Sequence, residues 1–252
     1  MQRYHTNCFV HDVELAKANK ISFVVQSGVP IHAMSPGRAS NLYDLYMLVD
    51  AIATELGPAT ASQYHFDSGS LIGMVRHHGL IPWDHDGDVC FPKQATDVLV
   101  DALCSGGDSS DSYCFDEQHI GTQDWFNSTI HRAIVRSAST RKHPLHPKDV
   151  CVICRAGSDF FPFRLYLRGM RMDVFNDLYD ECDLTKDGGL TTMYPFYNRT
   201  LPGRQNAASY LRHVQYNDKV MEYFVCSEGM TGHAHGVSPP IKLTDFSPAA
   251  LT

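Results

Sequence analysis

The chain has 252 residues, 43% hydrophobic and 19% charged, a balance that supports a packed core and excludes a disordered chain. Its 21 basic against 28 acidic residues give a formal net charge of −7, which argues against a general nucleic-acid binder with a basic face. No stretch approaches the ~20 consecutive apolar residues of a membrane helix, and the start, Met1 to His5, lacks the apolar core of a signal peptide. The chain is therefore expected to be cytosolic, or to begin downstream of a removed targeting segment.

In chain order, residues 1–38 read as irregular and strand-like, with a short apolar run over 21–26 and Pro30, Pro36 and Gly37 as punctuation. Ser40 is the expected N-cap of a helix over 41–56, whose Leu42, Leu45, Val49, Ile52 and Leu56 share one face before Gly57-Pro58 ends it. A short strand is expected over 64–67, a helix from 69 to 78, a strand over 88–91 and a helix over 93–103. Residues 105–110, rich in Gly and Ser, read as a mobile loop, and 141–148, with two prolines, as another. Strands at 113–115, 150–153, 163–167 and 171–175 follow from β-prone residues. A helix over 206–214 and a Gly- and Pro-rich tail from Gly229 complete the pattern. Helices and strands mixed in this order predict an α+β or mixed α/β fold.

Eight cysteines are spread along the chain, and the only close pair is Cys151-x-x-Cys154 in a strand-like stretch. Zinc would need two further thiolates or imidazoles that no second close pair supplies, so buried thiols or long-range disulfides are the preferred reading. The sequons Asn127-Ser128-Thr129 and Asn198-Arg199-Thr200 permit a secretory-lumen location.

The chemistry concentrates at Asp84-His85-Asp86-Gly87-Asp88. Alternate residues of an extended segment project to one side, and adjacent carboxylates raise each other's pKa. A divalent cation removes that penalty, and hard oxygen ligands suit Mg2+ or Mn2+. A solvated acidic turn is the plain alternative. Upstream, Asp67-Ser68-Gly69-Ser70 sits between an expected strand and helix, where free N–H groups and a hydroxyl suit a phosphate. Phosphate-binding groups followed by metal carboxylates are what phosphoryl transfer requires, because positioning and charge neutralisation dominate it.

The run Ser68-Gly69-Ser70-Leu71-Ile72-Gly73 through Ile81-Pro82-Trp83-Asp84-His85-Asp86-Gly87-Asp88 resembles the signature of the LicD family, which includes bacterial phosphorylcholine transferases, fukutin and fukutin-related protein. Arg171-Met172-Asp173-Val174-Phe175 resembles the family's later acidic strand, and the segment Leu201 to Leu211 its Pro–Asn–Tyr-Leu stretch. The resemblance covers roughly 40–220 and is strongest over 64–91. It implies one nucleotidyltransferase-type catalytic domain over 1–252, with a core at about 40–220 and variable extensions at 1–39 and 221–252. Its central mixed sheet would be flanked by helices. The implied reaction moves a phospho-alcohol (phosphocholine, phosphoribitol or similar) from a CDP-activated donor to a glycan hydroxyl. Carried over, Asp86 and Asp88 are the metal pair for Mg2+ or Mn2+, and Asp173 is a third ligand or the base. Gly69 and Ser70 hold donor phosphates. Arg76 pairs with a phosphate or forms a helix-surface salt bridge. Asp84 supports the ligands or hydrogen-bonds the turn, and Trp83 belongs to the core.

Two departures stand out. Gly87 occupies a position where an apolar residue is expected, which reads as a flexible loop between the two metal carboxylates. Ser70 stands where Thr is frequent, keeping the hydroxyl. No G-x-S-x-G elbow supports a Ser-His-Asp hydrolase. His77-His78 and His233-x-His235 lack the further ligands a metal site needs. Phe160-Phe161-Pro162-Phe163 reads as core, with an aromatic sugar platform as the alternative. Open alternatives to the phosphotransferase are a nucleotidyltransferase acting on a small molecule and a catalytically weak glycan- or nucleotide-binding protein. Location follows as the secretory pathway (Golgi lumen) for a truncated eukaryotic chain, otherwise the cytoplasm.

Overall fold

The computed structural model describes residues 34–81, 84–104, 112–114, 132–133, 149–154, 160–187, 189–211, 223–224 and 241–242. The expectations for 21–26, 105–110, 141–148, Pro82, Trp83, Asn127, His233, His235 and the tail fall outside them. The chain divides into two compact units, 41–67 with 86–192, and 1–40 with 68–85 and 193–252.

The unit that carries 86–192 holds a mixed sheet. Its described strands are β1 (His65–Phe66), β2 (Asp86–Phe91), β3 (Ser112–Cys114), β4 (Val150–Cys154), β5 (Phe163–Leu167) and β6 (Met170–Asn176), in the order β3-β4-β5-β6-β2-β1. β2 and β6 run parallel, with Asp88 opposite Asp173 and Val89 opposite Val174, and the other pairs are antiparallel. Helix α1 (Pro36–Glu55) starts earlier than its apolar face suggests. Ser35 Oγ accepts from Arg38 N and Pro36 occupies the first turn, where its missing N–H is not needed. Ser40 is thus inside the helix rather than its cap. A one-turn helix α2 (Pro58–Ala61) follows. Helix α4 (Lys93–Cys104) opens with Lys93 N donating to Asp177 Oδ1.

One face of this sheet is apolar. Val89, Phe91, Val174, Phe163 and Leu165 are buried there with Val49 and Ile52 of α1 and Leu99 of α4. Most of these line one small apolar cavity between helices and sheet. Each such side chain contributes about 1.5–3 kcal/mol by leaving water. Gly87 belongs to this face and corrects the flexible-loop expectation. It is a strand residue paired with Met172, and a Cβ there would lie 2.7 Å from Met172 Cε, 2.9 Å from Met172 Sδ and 2.9 Å from the Tyr46 ring. Tyr46 in turn stacks on Phe66 at 4.8 Å. The glycine makes room for two large neighbours. β2 therefore begins at Asp86, two residues before the expected start.

The other unit is built on helix α3 (Ser68–Ile72), a π-turn at Gly73–His77, and strands β7 (Thr191–Phe196) and β8 (Arg199–Arg204). The expected 69–78 helix is thus split in two. Gly73 allows the return of the chain, because a Cβ would meet Gly79 O at 2.6 Å. Gly79 takes the Tyr197 ring, whose hydroxyl accepts from Leu80 N, and Gly203 takes Leu71 and Tyr194. The fully buried Arg204 lies 4.0 Å from the Tyr210 ring centroid. Of the expected 206–214 helix, helix α5 is described over Ala207–Tyr210, and 212–214 lie outside the described residues; β9 (Tyr223–Phe224) pairs antiparallel with β10 (Ile241–Lys242).

Candidate active site

The second face of the sheet in the 86–192 unit is charged. Because side chains alternate along a strand and register partners share a face, three rows can be read directly. Asp88 of β2, Asp173 of β6 and Arg164 of β5 form the central row. Asp67 extends it beyond β1, with its N–H donating to Asp88 O at 3.2 Å. Asp86, Arg171 and Tyr166 form the next row, and His65, Cys90 and Phe175 the row on the other side. Asp86, Asp88 and Asp173, the carboxylates expected to hold the metal, therefore stand on one face, from strand positions 85 residues apart.

Two guanidiniums hold this group. Arg164 Nε donates to Asp173 Oδ1 at 2.7 Å, Arg171 Nε lies 3.3 Å from the same oxygen, and Arg171 Nη2 donates to Asp86 Oδ2. Burial works against the Arg171 charge, but Asp86 and Asp173 outweigh it and raise its pKa. Two of the carboxyls are nonetheless shifted upward. Burial, then Asp86, Asp173 and Asp67, push the Asp88 carboxyl well above the usual range, against the pull of Arg171. Burial also raises Asp173, although Arg171 and Arg164 oppose it. Asp67 also lies 3.6 Å from His65 Nε2, so four carboxylates gather here with Arg164, Arg171 and a histidine beside them. The raised carboxyls and the oxygen donors of this row fit a hard divalent cation.

Asp67, Arg164 and Arg171 are members of this face that sequence reasoning did not assign to the site. The spacing Arg171-x-Asp173 was the available signal, since residues two apart on a strand share a side. His65, Asp67 and Cys90 also bring ligand atoms within 4.8 Å of one another. Cys90, however, is bonded to Cys182, so it offers no thiolate. Cys151 and Cys154 are likewise disulfide-bonded, in line with the reading preferred over zinc.

Gly69, Ser70 and Arg76 belong to the other unit. Gly69 and Ser70 are buried in α3. Arg76 is half-buried and its Nε donates to His77 Nε2 at 2.9 Å. Burial, with Arg76 and His78, holds the His77 imidazole well below its usual pKa, so it accepts as the neutral ring. His77 is buried and His78 exposed, so the two do not act as joint ligands. Asp84 is buried and its Oδ1 accepts from His85 N at 3.0 Å.

Residues 62–151 match the family model described as LicD/FKTN/FKRP, nucleotidyltransferase domain. No curated protein matches the chain. Asp173, on β6, lies beyond the matched stretch. The match takes in β1, β2, Asp86 and Asp88, and it supports assignment of the chain to the LicD family.

Proposed function

We propose that this protein is a metal-dependent phosphotransferase that moves a phospho-alcohol from a CDP-activated donor to a glycan hydroxyl. The observation that carries this reading is the placement of Asp67, Asp86, Asp88 and Asp173 on one sheet face, where Arg164 pairs with Asp173 and Arg171 with Asp86. Asp86 and Asp88 are the ligands of Mg2+ or Mn2+, which when bound supplies charge neutralisation to the phosphates. Asp173 is a third ligand or the base. A carboxyl with a raised pKa accepts a proton more readily than an ordinary one, which suits the second role. In that role it takes the acceptor hydroxyl's proton as the oxygen attacks phosphorus. The bond between phosphorus and the CMP oxygen breaks, and CMP leaves with the electron pair. Arg171 and Arg164 keep Asp86 and Asp173 oriented. Gly69, Ser70 and Arg76 are assigned to the donor by their place in the family motif.

The disulfides and the exposed sequon at Asn198, in the turn between β7 and β8, favour an oxidising secretory lumen as the location. A mass-spectrometric screen of CDP-choline, CDP-ribitol and CDP-glycerol tests the activity. Mg2+-dependent CMP release is expected, with Asp86→Asn reducing it on the order of a thousandfold while the fold is kept. Undiminished release by Asp86→Asn would sink the assignment, and pyrophosphate as the product would point to nucleotidyl transfer instead.

A further inference from the structure

The carboxylate face continues into an aromatic one. Phe175 follows Asp173 by two residues on β6, so the two side chains share a side about 7 Å apart. From Phe175 a run of near-parallel rings leads away. Tyr179 stacks on Phe175 at 4.9 Å and 21°, and Phe160 stacks on Tyr179 at 5.4 Å and 17°. On the other side Phe161 stacks on Phe175 at 4.7 Å, with the Arg164 guanidinium 5.0 Å from its centroid. The run thus begins at the Arg164 that binds Asp173 and ends at Phe160, which is 46% exposed.

The segment carrying Tyr179 is fixed in place. Tyr179 N donates to Asn176 O and Cys182 N to Tyr179 O, while Asn176 N donates to Phe160 O. The Cys90–Cys182 disulfide then ties the turn to β2, two residues beyond Asp88. The surroundings are acidic: Asp177 and Asp180 are exposed, and the Tyr179 hydroxyl donates to Glu181. Burial, then Glu181, push that hydroxyl up to about 12, so it stays a donor at neutral pH. An acidic rim repels a phosphate-bearing ligand. It suits a neutral sugar, whose hydroxyls donate to carboxylates and whose C–H face covers an exposed ring.

We propose that Phe160, backed by Tyr179, forms an acceptor subsite whose exposed ring stacks one pyranose ring of a neutral glycan, with Glu181 accepting from its hydroxyls. Its role as the acceptor's subsite rests on the phosphotransferase reading above; sugar binding itself does not. The test is saturation-transfer NMR on the full chain, without donor, using lactose, N-acetyllactosamine, chitotriose and cellotetraose. At least one should receive saturation, mainly on the C–H protons of a single ring face. Phe160→Ala, a change at an exposed side chain, should weaken that binding about tenfold, and Tyr179→Phe, which keeps the stack, by less. The proposal is overturned by no transfer to any of the four sugars, by undiminished binding in Phe160→Ala, or by CDP displacing the sugar from the same rings without added metal. Phe160-dependent sugar binding with no turnover of any CDP donor would defeat the phosphotransferase reading and leave the subsite standing.

Discussion

The two faces of β2, β6 and β5 share one backbone and have opposite characters. Val89, Val174 and Leu165 point into the layer under α1 and α4, whereas Asp88, Asp173 and Arg164 stand on the other side at alternating or facing positions. The apolar face gains by removing surface from water. The charged face holds carboxylates that burial alone would protonate. A sheet can sustain such a face because its strands are pinned from behind. The rigidity that the site needs comes from the side that does no chemistry.

Changes to neighbours on opposite faces should differ most in their effects. Leu165→Ala should lower stability by about 2–5 kcal/mol, read by urea denaturation, and leave the metal response of the folded protein unaltered. Arg164→Gln, one residue away, should cost only about 1 kcal/mol, since the lost pair with Asp173 is partly solvated. It should instead change how strongly Mg2+ stabilises the protein. Equal losses from the two variants would mean that the faces are not specialised in this way.

Gly87, on the apolar face between Asp86 and Asp88 in the chain, is where the sign of an effect decides. A glycine retained for flexibility would tolerate alanine, and the substitution would stabilise by restricting the unfolded chain. A glycine that makes room for Met172 and Tyr46 would not. Gly87→Ala should destabilise by about 1–3 kcal/mol. A second change, Met172→Val, should restore part of the loss by clearing the contact.

Much of this arrangement is legible in the sequence, and what is not has physical causes. Apolar runs placed β4, β5 and β6 within a residue or two, because strands covered on one face alternate visibly between buried and exposed positions. The β7–β8 hairpin was missed because Pro195, Pro202 and Gly203 lie inside its strands, where those residues ordinarily argue against a strand. Asp86 was expected outside β2 because Gly87 reads as a break when its packing partners are unknown. Asp86, Asp88 and Asp173 were identified from motif resemblance. Asp67, Arg164 and the pairing of Arg171 with Asp86 depend on strand register, which one sequence does not display.

The smallest expected effect concerns pH and isolates the charged face. Asp88 and Asp173 have raised native pKa values, while an unfolded Asp titrates near 3.9. Each is therefore held protonated more firmly in the native state than in the unfolded one. The stability this confers is fully present below the unfolded value and is lost as pH rises through the native values. Without metal, thermal stability should fall as pH is raised from about 4 toward neutrality, a window set by these two carboxyls. Ligation needs the ionised forms, so Mg2+ should stabilise little at pH 5 and by roughly 2–4 °C at pH 8 under moderate excess. Asp86→Asn removes one of the charges that press on Asp88 and should flatten both trends, whereas Leu165→Ala should lower the whole curve and preserve its slope. Differential scanning fluorimetry across pH, with and without Mg2+, separates the two. A metal response that is independent of pH, or that survives intact in Asp86→Asn, would place the cation elsewhere than on this face.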